Sequence, residues 1–202
     1  ILELMRKEIA DAYEATLGTY DRELREACAQ ARPDWQITGR FPLYQIDRRF
    51  AVSFDLKTHT VKLESLTVRS FQISTVVSRL QKSYKELWDG PFDPQEFLEE
   101  LGIAYRRALS FEGEGPGPEI YLSKVHRELF AGRQSSTFWR TNRGLHPYPE
   151  EAFSADLSRL LASGITANVL TLIPGRQQRY YVYDPGREER VYFSMLKMTG
   201  ER

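Results

Sequence analysis

The side chains with chemistry to offer are few and scattered. His59, His126 and His146 fall in three separate stretches, and none has a partner at metal-ligand spacing. The single cysteine, Cys28, argues against a structural zinc site. His126 reads as a helix-surface or half-buried residue. The glycines at 113, 115 and 117 are not followed by Lys-Ser or Lys-Thr, and no strand precedes them where a phosphate loop requires one. Ser135-Ser136 and Cys28 have no base nearby in sequence. The acid pairs Glu99-Glu100, Glu150-Glu151 and Glu188-Glu189 read as solvated groups or as charges favoured by a helix dipole. The expectation is a non-catalytic protein without metal or cofactor, unless distant residues converge in the fold. One stretch stands apart. Between Gly132 and Pro149 lie Arg133, Arg140, Arg143 and His146, with Phe138, Trp139 and Tyr148, and no acid before Glu150. Arginines set among aromatics can hold phosphates and stack on bases. In the plainer reading Phe138 and Trp139 cap a small core and the arginines are solvated.

The elements around this loop follow from periodicity. Ile120, Tyr121, Val125, Leu129 and Phe130 recur at helical spacing, with Pro118 before them and Gly132 after. A second helix is expected from Pro149 to Gly164. Its first turn carries Glu150 and Glu151, and its apolar stripe is Phe153, Leu157, Leu160 and Leu161. Strands are expected at Val169–Ile173, Arg179–Tyr183 and Arg190–Phe193. Turns at 174–178 and 184–186 separate them.

The order helix, basic loop, helix, strands over residues 119–193 resembles a winged helix-turn-helix module. The resemblance rests on element order alone. It implies that the 150–163 helix faces a nucleic-acid groove with Ser154, Ser158 and Arg159 outward. The 174–178 turn becomes a wing carrying Arg176, with Arg179 at its base, and Arg133, Arg140 and Arg143 meet phosphates. That helix is poor in Arg, Lys, Asn and Gln, and Glu150, Glu151 and Asp156 repel phosphate. Low sequence specificity on double-stranded DNA is therefore expected.

Before this module the pattern is α+β. Residues 1–32 read as one long helix with a narrow apolar seam, ended by Pro33. The seam packs within its own domain or pairs with a protein partner or second copy. Strands follow at 41–46, 49–55 and 60–68 as an antiparallel meander, then helices from Phe71 to Trp88 and from Asp93-Pro94 through Ala108. Residues 111–118 read as a linker, which divides the chain into 1–110 and 119–202. The second part holds 12 basic and 9 acidic residues, while the whole chain is neutral, so any attraction to an acidic polymer is regional. No apolar run reaches membrane-spanning length and no secretory signal is visible. One free cysteine fits a reducing compartment, so a cytoplasmic location is expected. The chain opens Ile-Leu-Glu inside a helical pattern, without a methionine.

Two functions follow, from different classes. One is a nucleic-acid-binding accessory or regulatory protein. The other is a protein-interaction subunit of a larger assembly, of the DNA-maintenance or defence kind, that uses the tyrosine-rich strands and residues 1–32 as docking surfaces.

Overall fold

The computed structural model describes residues 2–111, 119–166, 169–175, 180–184 and 189–199, with side chains from Thr16 onward except those of Asp184 and Glu189. It is a mixed helix-and-sheet chain in two compact units, Ile1–Asp89 and Gly90–Arg202.

The first unit begins with helix α1 (Leu2–Ala31) and continues into strands β1 (Ile37–Arg40), β2 (Leu43–Ile46), β3 (Phe50–Asp55), β4 (Thr60–Leu63) and β5 (Leu66–Val68). These form one antiparallel meander in sequence order. Alternation drives it. Phe50, Val52 and Phe54 point inward from β3, while Ala51 and Ser53 are only partly covered. Helix α2 (Ile73–Tyr84) lays Val76, Val77, Leu80 and Tyr84 on that inner face, and a π turn (Lys85–Asp89) ends it. Leu24 and Cys28 of α1 enter the same core, and Tyr20, Ala27 and Ala31 pack against it. So the described half of the α1 seam packs at home. A pairing surface on residues before Thr16 lies outside the described side chains.

Five strands replace the three expected. The expected 60–68 strand is cut by a turn at Glu64-Ser65, where Glu64 has φ 54°. The Glu64 carboxylate accepts the Ala51 N–H at 2.5 Å, and its own N–H donates to the Ala51 carbonyl at 3.1 Å. The extra strand β1 needs Gly39, which has φ 85° and lies so close to the Leu43 carbonyl that a Cβ would collide with it. Its outer edge is closed by Arg25. That guanidinium donates to the carbonyls of Ile37 at 2.9 Å and Gly39 at 2.5 Å, held in place by Asp21 at 2.8 Å.

The second unit starts with helix α3 (Pro94–Ser110). The Asp93 carboxylate caps it, accepting the N–H groups of Gln95 at 2.8 Å and Glu96 at 3.2 Å. Then come strand β6 (Ile120–Tyr121), helices α4 (Leu122–Gly132), α5 (Ser136–Thr141) and α6 (Glu150–Ala162), and strands β7 (Leu170–Ile173), β8 (Tyr180–Asp184), β9 (Glu189–Phe193) and β10 (Met195–Met198). β10 lies between β6 and β7, antiparallel to both, and β8 pairs with β9 as a separate hairpin.

This arrangement corrects the expected domain boundary. Phe97, Leu101, Ala104, Tyr105 and Ala108 of α3 share one core with Leu122, Val125, Leu129, Phe153, Leu157 and Leu160. The 94–110 helix therefore belongs to the second unit, and the break falls at Asp89–Gly90. The expected linker is outside the described residues from 112 to 118. Two smaller corrections follow from strand pairing. Ile120 and Tyr121 pair with Leu196 and Met195 as a strand instead of opening a helix. β7 does not pair with β8, so the two do not flank a wing. β7 ends at Ile173 in the sheet with β10 and β8 begins at Tyr180 in the pair with β9, while residues 176–179 of the expected wing turn lie outside the described residues.

Candidate functional site

Helix α4 ends at Gly132, and the next two residues fix the base of the basic loop. The Arg133 guanidinium donates to Glu100 of α3 at 2.7 and 3.0 Å, lies 3.5 Å from Asp156 of α6, and sits 4.0 Å from the centre of the Tyr148 ring. Burial alone would push its pKa down. The surrounding Tyr148, Glu100 and Asp156 outweigh that and raise it, so this arginine is a fixed cation. Gln134 is buried and acts as a clasp. Its amide NH₂ donates to the carbonyls of Phe130 at 3.0 Å and His146 at 2.8 Å, and its oxygen accepts the His146 N–H at 2.9 Å. Residues twelve apart in sequence are thereby drawn together. Just beyond, the buried Tyr148 hydroxyl donates to Asp156 at 2.7 Å. Burial, with the Asp156 carboxylate adding, holds that phenol well above its ordinary pKa, so it stays a donor.

Between the two ends of this clasp the chain projects into water. Ser135 caps α5 by accepting the Phe138 N–H at 3.1 Å, and Asn142 closes the helix in the left-handed conformation, φ 55°. This short helix lies inside what periodicity reads as open loop. Trp139 is 60% exposed and Leu145 55% exposed. Phe138, half-buried, meets the Trp139 ring edge-on at 5.1 Å and 71°. Arg140, Arg143 and His146 are exposed. Neither Arg140 nor Arg143 has an ion-pair partner among the described residues.

The other expected contacts fare differently. Helix α6 does not offer a face to solvent. Phe153, Leu157 and Leu160 fill the core on one side, while Ser154 (0% exposed), Ala155 and Ser158 (4% exposed) are covered on the other by β8. Ser158 Oγ donates to the Ser154 carbonyl at 2.7 Å and accepts the Tyr183 N–H at 3.0 Å, and Ser154 Oγ accepts the Tyr181 N–H at 3.3 Å. The two serines thus bind the strand backbone and cannot reach a base. Arg159 is also engaged. It donates to Asp156 at 2.6 Å and the Gly90 carbonyl at 3.0 Å, and lies 4.4 Å from the Phe92 ring centre. Arg133 and Arg159 are therefore structural cations, contrary to expectation. Arg176 and Arg179 lie outside the described residues.

Of the expected set, Arg140 and Arg143 are exposed, and the base of the loop is held by residues that periodicity does not single out. Gln134, Tyr148, Asp156 and Glu100 hold the loop base. The sequence signal for the covered side of α6 is the i, i+4 pair Ser154 and Ser158 around Ala155, a small-residue face followed by tyrosine-rich strands. Of those tyrosines, Tyr180 and Tyr181 are buried, and Tyr183 and Tyr192 are half-buried. His126 is half-buried. It is 2.8 Å from the Tyr148 carbonyl through Nε2, 3.2 Å from the Tyr180 hydroxyl through Nδ1, and stacked on Phe153 at 4.9 Å.

No group of three or more His, Cys, Asp or Glu side chains able to hold a metal ion occurs among the described residues. No described helix is long and apolar enough to cross a membrane. In comparisons with known proteins, no family model, no curated protein and no solved structure matches this chain.

Proposed function

We propose that the chain is a non-catalytic nucleic-acid-binding protein that grips phosphates with the loop between Ser135 and Pro147. The observation that carries this reading is the loop itself. Arg140, Arg143, His146 and Trp139 are all exposed in a stretch free of carboxylates from Ala131 to Pro149, on a base clasped by Gln134 and Tyr148. A rigid base carrying free cations and an aromatic ring suits a phosphate polymer, because little ordering entropy is lost on binding. The strand order β6–β10–β7 behind α3, α4 and α6 supports a winged-helix-like reading of the second unit, with the β8–β9 hairpin inserted before the last strand. In this reading α6 is a core helix and the loop takes over as the contact surface. Sequence specificity is low, because no described element presents a row of base-reading amides or guanidinium groups.

The test is binding of labelled DNA across a salt series, for the intact chain and for Arg140→Ala/Arg143→Ala. Affinity should fall as salt rises, and the variant should bind more weakly with a shallower salt slope. A lack of binding at low salt refutes the reading. The exposed Leu145, in the same loop as Trp139, favours a second reading, in which the loop is an anchor for a protein partner. Binding to that partner would depend on Leu145 and Trp139 and only weakly on salt.

A further inference from the structure

We propose that the loop takes single-stranded nucleic acid, with an unpaired base stacked on the Trp139 indole and its flanking phosphates on Arg140 and Arg143. This rests on the nucleic-acid reading above and narrows it to a class of ligand.

Three observations point the same way. First, the helix that would read a duplex is sealed. Ser154 and Ser158 of α6 are hydrogen-bonded to the β8 backbone, and the opposite side of α6 lies in the core, so it cannot enter a groove. Second, Trp139 is a large aromatic ring left 60% in water on a well-defined element. Its helix is capped by Ser135 and stopped by Asn142, and its ring is braced edge-on by Phe138. A braced ring is a ready platform for a base, and duplex bases are already stacked on one another and present only their edges. Third, the charge in the segment that carries the ring has one sign. Arg140 is adjacent in sequence and Arg143 follows three residues later, both exposed, with no carboxylate between Ala131 and Pro149. That suits a backbone running past a stacked base; it repels cationic protein segments and attracts acidic ones as well. Stacking on Trp139 is what separates a base from a carboxylate side chain.

The experiment uses the full chain with a fluorescently labelled oligothymidylate, a duplex of the same length, and an acidic peptide. Anisotropy gives affinity, and the part of the intrinsic emission change that disappears in Trp139→Phe reports on Trp139, since Trp35 is buried and Trp88 half-buried and both emit in every variant. The expected result is tighter binding of the single strand than of the duplex, with quenched tryptophan emission. Trp139→Ala should weaken the single strand by roughly 5- to 150-fold, as loss of one stacked base implies. Trp139→Phe should restore most of the affinity. Arg140→Ala/Arg143→Ala should flatten the salt slope by about 1.4, the value for two single-strand phosphates. Equal binding of duplex and single strand, or a single-strand affinity unchanged in Trp139→Ala, overturns this inference and leaves the phosphate-binding reading standing. Failure of both nucleic acids to bind at low salt overturns both, and tight binding of the acidic peptide alone assigns the loop to protein docking.

Discussion

Replacing Asp156 with alanine removes the carboxylate on which the base of the loop converges. One oxygen accepts the Tyr148 hydroxyl at 2.7 Å and lies 3.5 Å from Arg133, and the other accepts Arg159 at 2.6 Å. Asp156→Ala leaves a buried phenol without this acceptor and takes a counter-charge from two guanidinium groups. Breaking a fully buried ion pair costs about 3–5 kcal/mol. The Arg133 and Arg159 side chains keep 22% and 20% of their surface, and Arg133 retains Glu100, so the expected loss is reduced to about 2–4 kcal/mol. Asp156→Asn keeps the shape and an acceptor, and should lose about half as much. Tyr148→Phe removes one hydrogen bond to a charged group and should cost about 1.5–3 kcal/mol. Because Tyr148 and Asp156 touch, the double variant Tyr148→Phe/Asp156→Asn should lose less than the sum of the two. Urea unfolding gives the totals. Hydrogen exchange over 150–162, read separately from 43–63, assigns the loss to the second unit. A loss below about 1 kcal/mol for Asp156→Ala refutes the claim that this carboxylate holds the loop base together.

The covered side of α6 and the core of the first unit give two further expectations. Ser158→Ala removes only the hydroxyl that accepts the Tyr183 N–H and adds no bulk at this buried site. It should cost about 1–3 kcal/mol and speed amide exchange at Tyr183 relative to Val76, and equal exchange would refute the strand-binding role of the hydroxyl. Burial pushes the Cys28 thiol up to about 11 and the Tyr20 phenol up to about 12. Both are neutral when protonated, so the stability they contribute is full below their unfolded values, about 8.5 and 10, and is lost as pH rises through the folded ones. The first unit should therefore weaken between about pH 9 and 12, Cys28→Ala should remove the earlier part of that loss, and a thiol reagent at pH 8 should reach Cys28 only on unfolding.

Much of the first unit was legible because one physical cause acted alone. In Phe50-Ala51-Val52-Ser53-Phe54 the side-chain alternation and the burial agree, and the stripe Val76, Val77, Leu80, Tyr84 meets that face as its spacing implies. Pattern and structure part where two causes compete. Glu64 fits an alternating strand but serves a turn, because its carboxylate satisfies the Ala51 backbone. Ile37-Thr38-Gly39-Arg40 lacks an apolar pattern and becomes a strand through Gly39 and the Arg25 guanidinium. The Gly-Pro-rich 111–118 stretch reads as the boundary because composition does not say which core Phe97 and Leu101 join. At the candidate site, the loop arginines were legible from their run without acids. The fate of Ser154, Ser158 and Arg159 was not, because a hydroxyl facing water and a hydroxyl receiving a strand are identical in sequence. Arg133 looks like any other loop cation until Glu100, thirty-three residues earlier, is brought beside it.

The clasp made by Gln134 on His146 has a consequence for how this chain can change. The segment it closes contributes no fully buried side chain between Ser135 and Pro147, while the residues that hold it, Arg133, Gln134 and Tyr148, are fixed by their own bonds. Substitutions at the exposed positions of the segment change what its surface presents and leave the frame intact. Substitutions in the frame displace the whole segment at once. The loop is thus a replaceable cassette. Asn142 and Gly144, at φ 55° and 74°, carry its turns, so exchanging Trp139, Arg140, Arg143 and Leu145 for unrelated hydrophilic residues, with those two kept, should leave the melting temperature of the unit unchanged while replacing its exposed surface.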